Sequence, residues 1–285
     1  MEIFDAQVHI WGPNTPEQLW PADGNPPHKP QPFSGDDLIR EMDAAGVSRA
    51  LVVPPSFAGG HNQVALEAAR KYPDRIGVMG VLDIKSPDAR EKLATWRQTP
   101  GMLGTRINFR KKGPLQMLQE GKLEWMFAMA QELKIPLSFL AKHSDMQLIV
   151  DLAGRYPELK LSLDHLGLTE GKGTGAAAFE GFDGVLKLKA APNVCVKVSA
   201  LPAYASDSYP YRGLHPYIRQ VYDAFGPQRM SWGTDLTRLP CTYRQAVTLF
   251  TEDIPWLTQS DKEWIMGRSL ARWVGWEQPQ KKVAA

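Results

Sequence analysis

Eight short, strand-like runs alternate with eight segments of helical period along this chain, and that alternation limits the fold more than any other feature. The strand-like runs lie at 3–9, 50–53, 76–82, 104–109, 137–141, 160–165, 194–200 and 230–235. Several are almost wholly apolar, as Leu51-Val52-Val53 is, which suits parallel strands covered on both faces. The helical segments lie at 34–46, 62–72, 87–98, 123–133, 144–156, 179–190, 214–225 and 243–250. Ser34 is placed to cap the first, with Asp36 and Asp37 in its opening turn and Gly46 at its end, and Ser144 is placed to cap the fifth. Strict alternation implies a parallel sheet. Eight units in 285 residues imply closure into a single (β/α)8 TIM barrel of the α/β class rather than an open sheet. No Gly-x-Gly-x-x-Gly follows a strand and no Gly-Lys-Ser/Thr loop occurs, which argues against a nucleotide-binding sheet. An extra C-terminal helix at 260–273 completes one domain over residues 1–277, and 278–285 reads as a frayed tail.

A net charge of +2 is too small for a nucleic-acid or anionic-membrane partner, so a small molecule is the expected partner. The only cysteines are Cys195 and Cys241, and neither has metal-binding spacing. With no signal-peptide core and no apolar run of about 18 residues, they point to a reducing, cytoplasmic setting. Assembly as a homo-oligomer is compatible with the sequence.

Barrel enzymes carry their chemistry at the C-terminal ends of strands. Side chains alternate along a strand, so Asp5, Gln7 and His9 share one face of the first. Arg106 and Asn108 share a face of the fourth, and Cys195, Lys197 and Ser199 a face of the seventh. The sixth ends in Asp164-His165 and the eighth in Gly233-Thr234-Asp235. By alternation Asp164 points away from His165 and has a structural role. Lys197 is expected to pair with Asp5 or Asp235, or to reach a substrate anion. His9, His165 and Asp235 can converge at one mouth. There they could bind a divalent metal, or Asp235 could act as a general base while the imidazoles polarise a carbonyl. Arg106 is suited to grip a carboxylate. The Pro- and Gly-rich loop at 12–32 is either an active-site cover or a surface insertion, with Trp11, Trp20 and His28 as its contacting residues. Tyr204, Tyr209 and Tyr211 are further candidates for the pocket, whereas His61, His143 and His215 read as surface or capping residues.

With Phe4-Asp5-Ala6-Gln7-Val8-His9, Leu163-Asp164-His165-Leu166-Gly167, Val196-Lys197-Val198-Ser199 and Trp232-Gly233-Thr234-Asp235, the chain resembles the amidohydrolase-related family over essentially its whole length. The similarity is to the branch that holds sugar lactonases, 2-pyrone-4,6-dicarboxylate lactonase and galactarolactone isomerase. The resemblance implies that Gln7-Val8-His9 stands where the family has His-x-His, that His165 is its later histidine, and that Asp235 is its last-strand aspartate. Gln7 departs from the pattern, since an amide oxygen is a weak metal ligand. The fifth strand offers no bridging ligand, so a site that needs no metal is expected, with a single zinc-like ion as the alternative. The implied function is hydrolysis or isomerisation of a small carboxylated lactone. His9, His165 and Asp235 would be catalytic, with Asp235 as base. Gln7, His9 and His165 would donate to the carbonyl, while Arg106, Asn108 and Lys197 join Gln7 in holding the substrate. The alternatives are a metal-dependent decarboxylase or C–C hydrolase, and an inactive carboxylate-binding barrel.

Overall fold

Eight parallel strands pair in sequence order: β1 (Phe4–Val8), β2 (Arg49–Val52), β3 (Ile76–Val81), β4 (Met102–Asn108), β5 (Leu137–Leu140), β6 (Leu161–Leu163), β7 (Val194–Ser199) and β8 (Met230–Gly233). This is a computed structural model that describes residues 1–17, 19–22 and 26–276. The sheet curls so that β8 returns to β1. That seam is closed by the Asp235 amide donating to the Gln7 carbonyl at 2.8 Å, and by the Asp5 carboxylate accepting from the Thr234 amide at 2.9 Å. Nearly every strand residue is buried, because helices cover the outside and side chains fill the inside.

The helices around the barrel are α1 (Gly35–Ala45), α2 (Gln63–Lys71), α3 (Ala89–Ala94), α4 (Lys112–Gln119), α5 (Glu124–Glu132), α6 (Met146–Arg155), α7 (Asp183–Leu186), α8 (His215–Phe225) and α9 (Tyr243–Thr251). In α1 Ser34 and Asp37 form a reciprocal capping box, Gly46 ends the helix in the left-handed conformation, and Leu38, Met42 and Ala45 face the core. Ser144 does not cap α6. The chain enters that helix through a 3-10 turn at His143–Asp145, and the Ser144 hydroxyl donates to Asp145 instead. The segment at 179–190 forms only a four-residue α-helix followed by a 3-10 turn. Helix α4 is an addition to the expected set, because Gly113-Pro114 near its start disguises its period.

The C-terminal segment at 260–273 is Gln259–Glu263, a π-turn at Trp264–Arg268, and Ser269–Val274. It packs on the start of β1. A Cβ at Gly267 would lie 2.7 Å from the Glu2 carbonyl, so only glycine allows that approach. The tail at 278–285, and residue 277, lie outside the described residues. Among the described residues, no helix is long and apolar enough to cross a membrane.

Candidate active site

The strand ends on one side of the barrel leave regular geometry just where the polar residues cluster. His165 (φ 53°) and Leu166 (φ 50°) after β6, Ala200 (φ 59°) after β7 and Asp235 (φ 54°) after β8 are all left-handed. Such backbone costs roughly 1–3 kcal/mol per non-glycine residue and persists where surrounding contacts over-determine it. The turn at His165 also breaks strand alternation, so Asp164 and His165 both face inward. The outward orientation expected for Asp164 is therefore wrong, although its role is structural.

Asp164 is fully buried and binds two cations. It accepts from Arg106 Nε at 2.7 Å, from Lys197 Nζ at 2.8 Å and from the Ser138 hydroxyl. Burial opposes its charge, but Lys197 and then Arg106 outweigh burial and hold the carboxyl well below the usual range. Lys197 also donates to Gln7 Oε1 at 2.9 Å. It meets neither Asp5 nor Asp235, and at 1% exposure it lies off the cavity wall, so the expected substrate contact is corrected to a supporting role. Gln7 is likewise beneath the wall. An ammonium can only donate, so Lys197 fixes the Gln7 amide with its oxygen inward, and among the described residues Gln7 Nε2 is left without a partner.

Above this layer His9, His165 and Asp235 come together. His9 Nδ1 lies 2.6 Å from the Val53 carbonyl, which can only accept, so the proton sits on Nδ1. Its Nε2 therefore presents a lone pair, 3.4 Å from Asp235 Oδ1. Burial and the nearby Arg106 charge keep the His9 pKa well below its ordinary value. The donor role expected for His9 is thus replaced by an acceptor role. His165 Nδ1 is 2.9 Å from the Ser199 hydroxyl, and its Nε2 is 3.9 Å from Asp235 Oδ2. Burial lowers the His165 pKa to about 3 against the pull of Asp164. Burial pushes the Asp235 carboxyl up to about 7, with Arg106 opposing and Asp5 and Asp164 adding to the rise. Among the described residues, Asp235 Oδ1 has no hydrogen-bond partner.

A cavity of about 750 Å³ opens over this trio. Arg106, Asn108, Arg110 and Lys111 form part of its wall, with Tyr204 and Arg238 also in the lining. Arg106 has only its Nε engaged by Asp164. The Asn108 side chain accepts from the Arg110 amide at 3.0 Å, so it shapes this turn as well as lining the cavity. Arg110 donates through Nη2 to the Leu168 carbonyl at 2.6 Å, while its Nε is buried and, among the described residues, unpartnered. Arg238 pairs with Glu170. From the loop at 12–32, Pro26, Pro27 and His28 reach the cavity. His28 Nδ1 lies 2.8 Å from the Thr237 hydroxyl, and its ring meets those of His9, Trp11 and Phe57 edge-on. Trp20 packs on Phe57 outside the lining. Tyr204 reaches the cavity; Tyr209, which bonds Thr248 and Asp253, and Tyr211 do not line it, nor do His61, His143 and His215. Arg110, Thr237 and Arg238 were missed from sequence, although each lies within three residues of a strand end or of Asp235.

A divalent ion needs several deprotonated donors at once. The one useful lone-pair atom of Gln7 is engaged by Lys197, and that ammonium would repel a cation. Among the described residues, no three His, Cys, Asp or Glu side chains form a group able to hold a metal ion. With Gln7 engaged by Lys197, the first strand offers a metal ion one strong donor, His9, rather than two.

The sequence matches the amidohydrolase family profile over residues 4–275. It is similar to an L-fucono-1,5-lactonase of Burkholderia ambifaria, 26% identical over 81% of this chain and 79% of that one. It is also similar to a 4-sulfomuconolactone hydrolase of Hydrogenophaga intermedia, 24% identical over 81% of this chain and 73% of that one. In fold it matches the crystal structure of an amidohydrolase from Burkholderia multivorans with bound zinc, at a TM-score of 0.79 and 20% identity. That match covers 96% of this chain and 99% of the other.

Proposed function

The chain belongs to the amidohydrolase family, and from that membership we propose that it hydrolyses a small carboxylated lactone without a bound metal. The observation that carries this reading is the pair of acceptors, His9 Nε2 and Asp235 Oδ1, facing each other across 3.4 Å. Two acceptors cannot bond each other, but a water molecule can donate one hydrogen to each. Asp235, with its pKa near 7, is matched to general-base work near neutral pH. It takes a proton from that water as the oxygen attacks the lactone carbonyl carbon. The carbonyl π electrons move to oxygen, where the Arg106 guanidinium stabilises the charge. When the ring C–O bond breaks, its electron pair goes to the ring oxygen, which takes the proton back from Asp235 and leaves a hydroxy acid. Arg110 and Lys111, further along the same wall, would hold the substrate carboxylate, the role expected of Arg106 with Lys197.

The lactone itself is supported by the names of the two curated relatives. Isomerisation would use the same base on a substrate hydroxyl. A metal-dependent decarboxylase is disfavoured because Lys197 engages Gln7, and an inactive barrel because a matched base survives. A cytoplasmic location accords with the two unpaired cysteines. The test is a panel of carboxylated lactones offered to wild type and Asp235→Asn. Wild type should turn over at least one, and the variant should lose roughly 10²–10⁴-fold in kcat. Comparable turnover by Asp235→Asn would exclude Asp235 as the base.

A further inference from the structure

We propose that Asp5, gripped by Thr234 and Tyr243, is the positioning residue that sets the Asp235 carboxylate against His9. The proposal rests on the reading of Asp235 as the general base. Asp5 is fully buried at the barrel centre, one pleat below Gln7. Its Oδ1 accepts from the Gln7 amide at 3.0 Å and from the Thr234 amide at 2.9 Å. Its Oδ2 accepts from the Thr234 hydroxyl and from the Tyr243 hydroxyl at 2.8 Å. One carboxylate thus joins three elements: β1, which carries Gln7 and leads to His9; the end of β8, next to Asp235; and the first residue of α9.

These bonds fall at the seam between the two groups that must face each other across the water. Every other adjacent strand pair is held by a parallel ladder, with a shift of register in β1–β2 and in β3–β4. Between β8 and β1 the chain relies on the Asp5 carboxylate and on the Asp235 amide donating to the Gln7 carbonyl. The seam is tight: a Cβ at Gly233 would lie 3.1 Å from the Gln7 nitrogen and 3.2 Å from Asp5 Oδ1. Asp235 is also left-handed at φ 54°, a conformation aspartate adopts more readily than most residues but still at a cost, and neighbouring bonds help to hold it. Thr234, fixed through both its amide and its hydroxyl, supplies that constraint. Tyr243 adds leverage from outside, its ring stacked on Trp232 of β8 at an interplanar angle of 19°.

A residue that only stabilises the barrel would change melting temperature when weakened, but not the chemical step. A positioning residue changes kcat, because a misplacement of about 1 Å can cost as much as 10²-fold. Tyr243→Phe and Thr234→Val each remove one donor to Asp5 and keep the packing volume. Each should lower kcat by roughly ten-fold or more and leave KM within about two-fold, while Thr234→Ser, which keeps the hydroxyl, restores kcat. Unchanged kcat in both variants, with or without a lower melting temperature, would overturn the proposal, as would a loss confined to KM. Asp235→Asn, measured alongside, separates the two claims. If it stays active, the reading of Asp235 as base fails. If it is inactive while Tyr243→Phe and Thr234→Val work at full rate, only the role of Asp5 fails.

Discussion

Burial raises the Asp235 carboxyl to about 7, so near neutrality the group is divided between a charged form able to take a proton and an uncharged form that the interior prefers. That division has a consequence for stability. The folded value lies above the ordinary 3.8, so the stabilising contribution of the protonated group is complete below about pH 4 and is lost as pH rises through 7. Asparagine cannot ionise, and it tolerates the left-handed conformation found at this position. Asp235→Asn should therefore melt higher than wild type at pH 8, by up to the equivalent of about 4 kcal/mol, with the gain vanishing near pH 4. Thermal melts at the two pH values check this. His9 and His165 act with the opposite sign, since their folded values lie below the ordinary 6.5 and they cost stability as pH falls below it, but both are present in wild type and variant and cancel from the comparison.

At the scale of the element, the strands themselves were easy to find and their last residues were not. Period-two alternation puts Asp5, Gln7 and His9 on one face of the run at 3–9, and all three are buried, His9 just past the end of β1. It failed at Asp164, because the left-handed turn at His165 breaks the rule just where the strand ends. It failed for Lys197 in another way. Alternation gives the face but not the partner, and of the carboxylates within reach Asp164 holds the ammonium. The loops carried less still. His28 was visible as a contacting residue of the loop at 12–32, but Thr237, its hydrogen-bond partner 209 residues away, could come only from tertiary structure. This link between the β1 and β8 loops lines the cavity, so losing it should weaken substrate binding more than chemistry. Thr237→Val is expected to raise KM roughly three- to ten-fold with kcat less affected, as steady-state kinetics would read it.

The whole molecule was the most legible level, because the eight-fold alternation is written over the full chain and parallel closure follows from it. Helix α4 escaped because Gly113-Pro114 masks its period, and Arg110 and Arg238 escaped because turns, not strands, present them. Barrel closure brings β1 beside β8 and β4 beside the mouth, and so joins His9, Asp235 and Arg106 over a layer in which Asp164 neutralises one of two buried cations. In the proposed mechanism the remaining positive charge favours the substrate carbonyl oxygen as it turns negative. The proposed mechanism gives fixed charges and a tuned carboxylate the work that a metal ion does in other enzymes. The most direct measurement is kcat/KM for a hydrolysed lactone, before and after exhaustive metal stripping, from about pH 5 to about pH 9. The two curves should superimpose and rise with pH to a plateau, with one acid limb near pH 7 set by Asp235. Activity that disappears on stripping and returns with zinc would contradict the account.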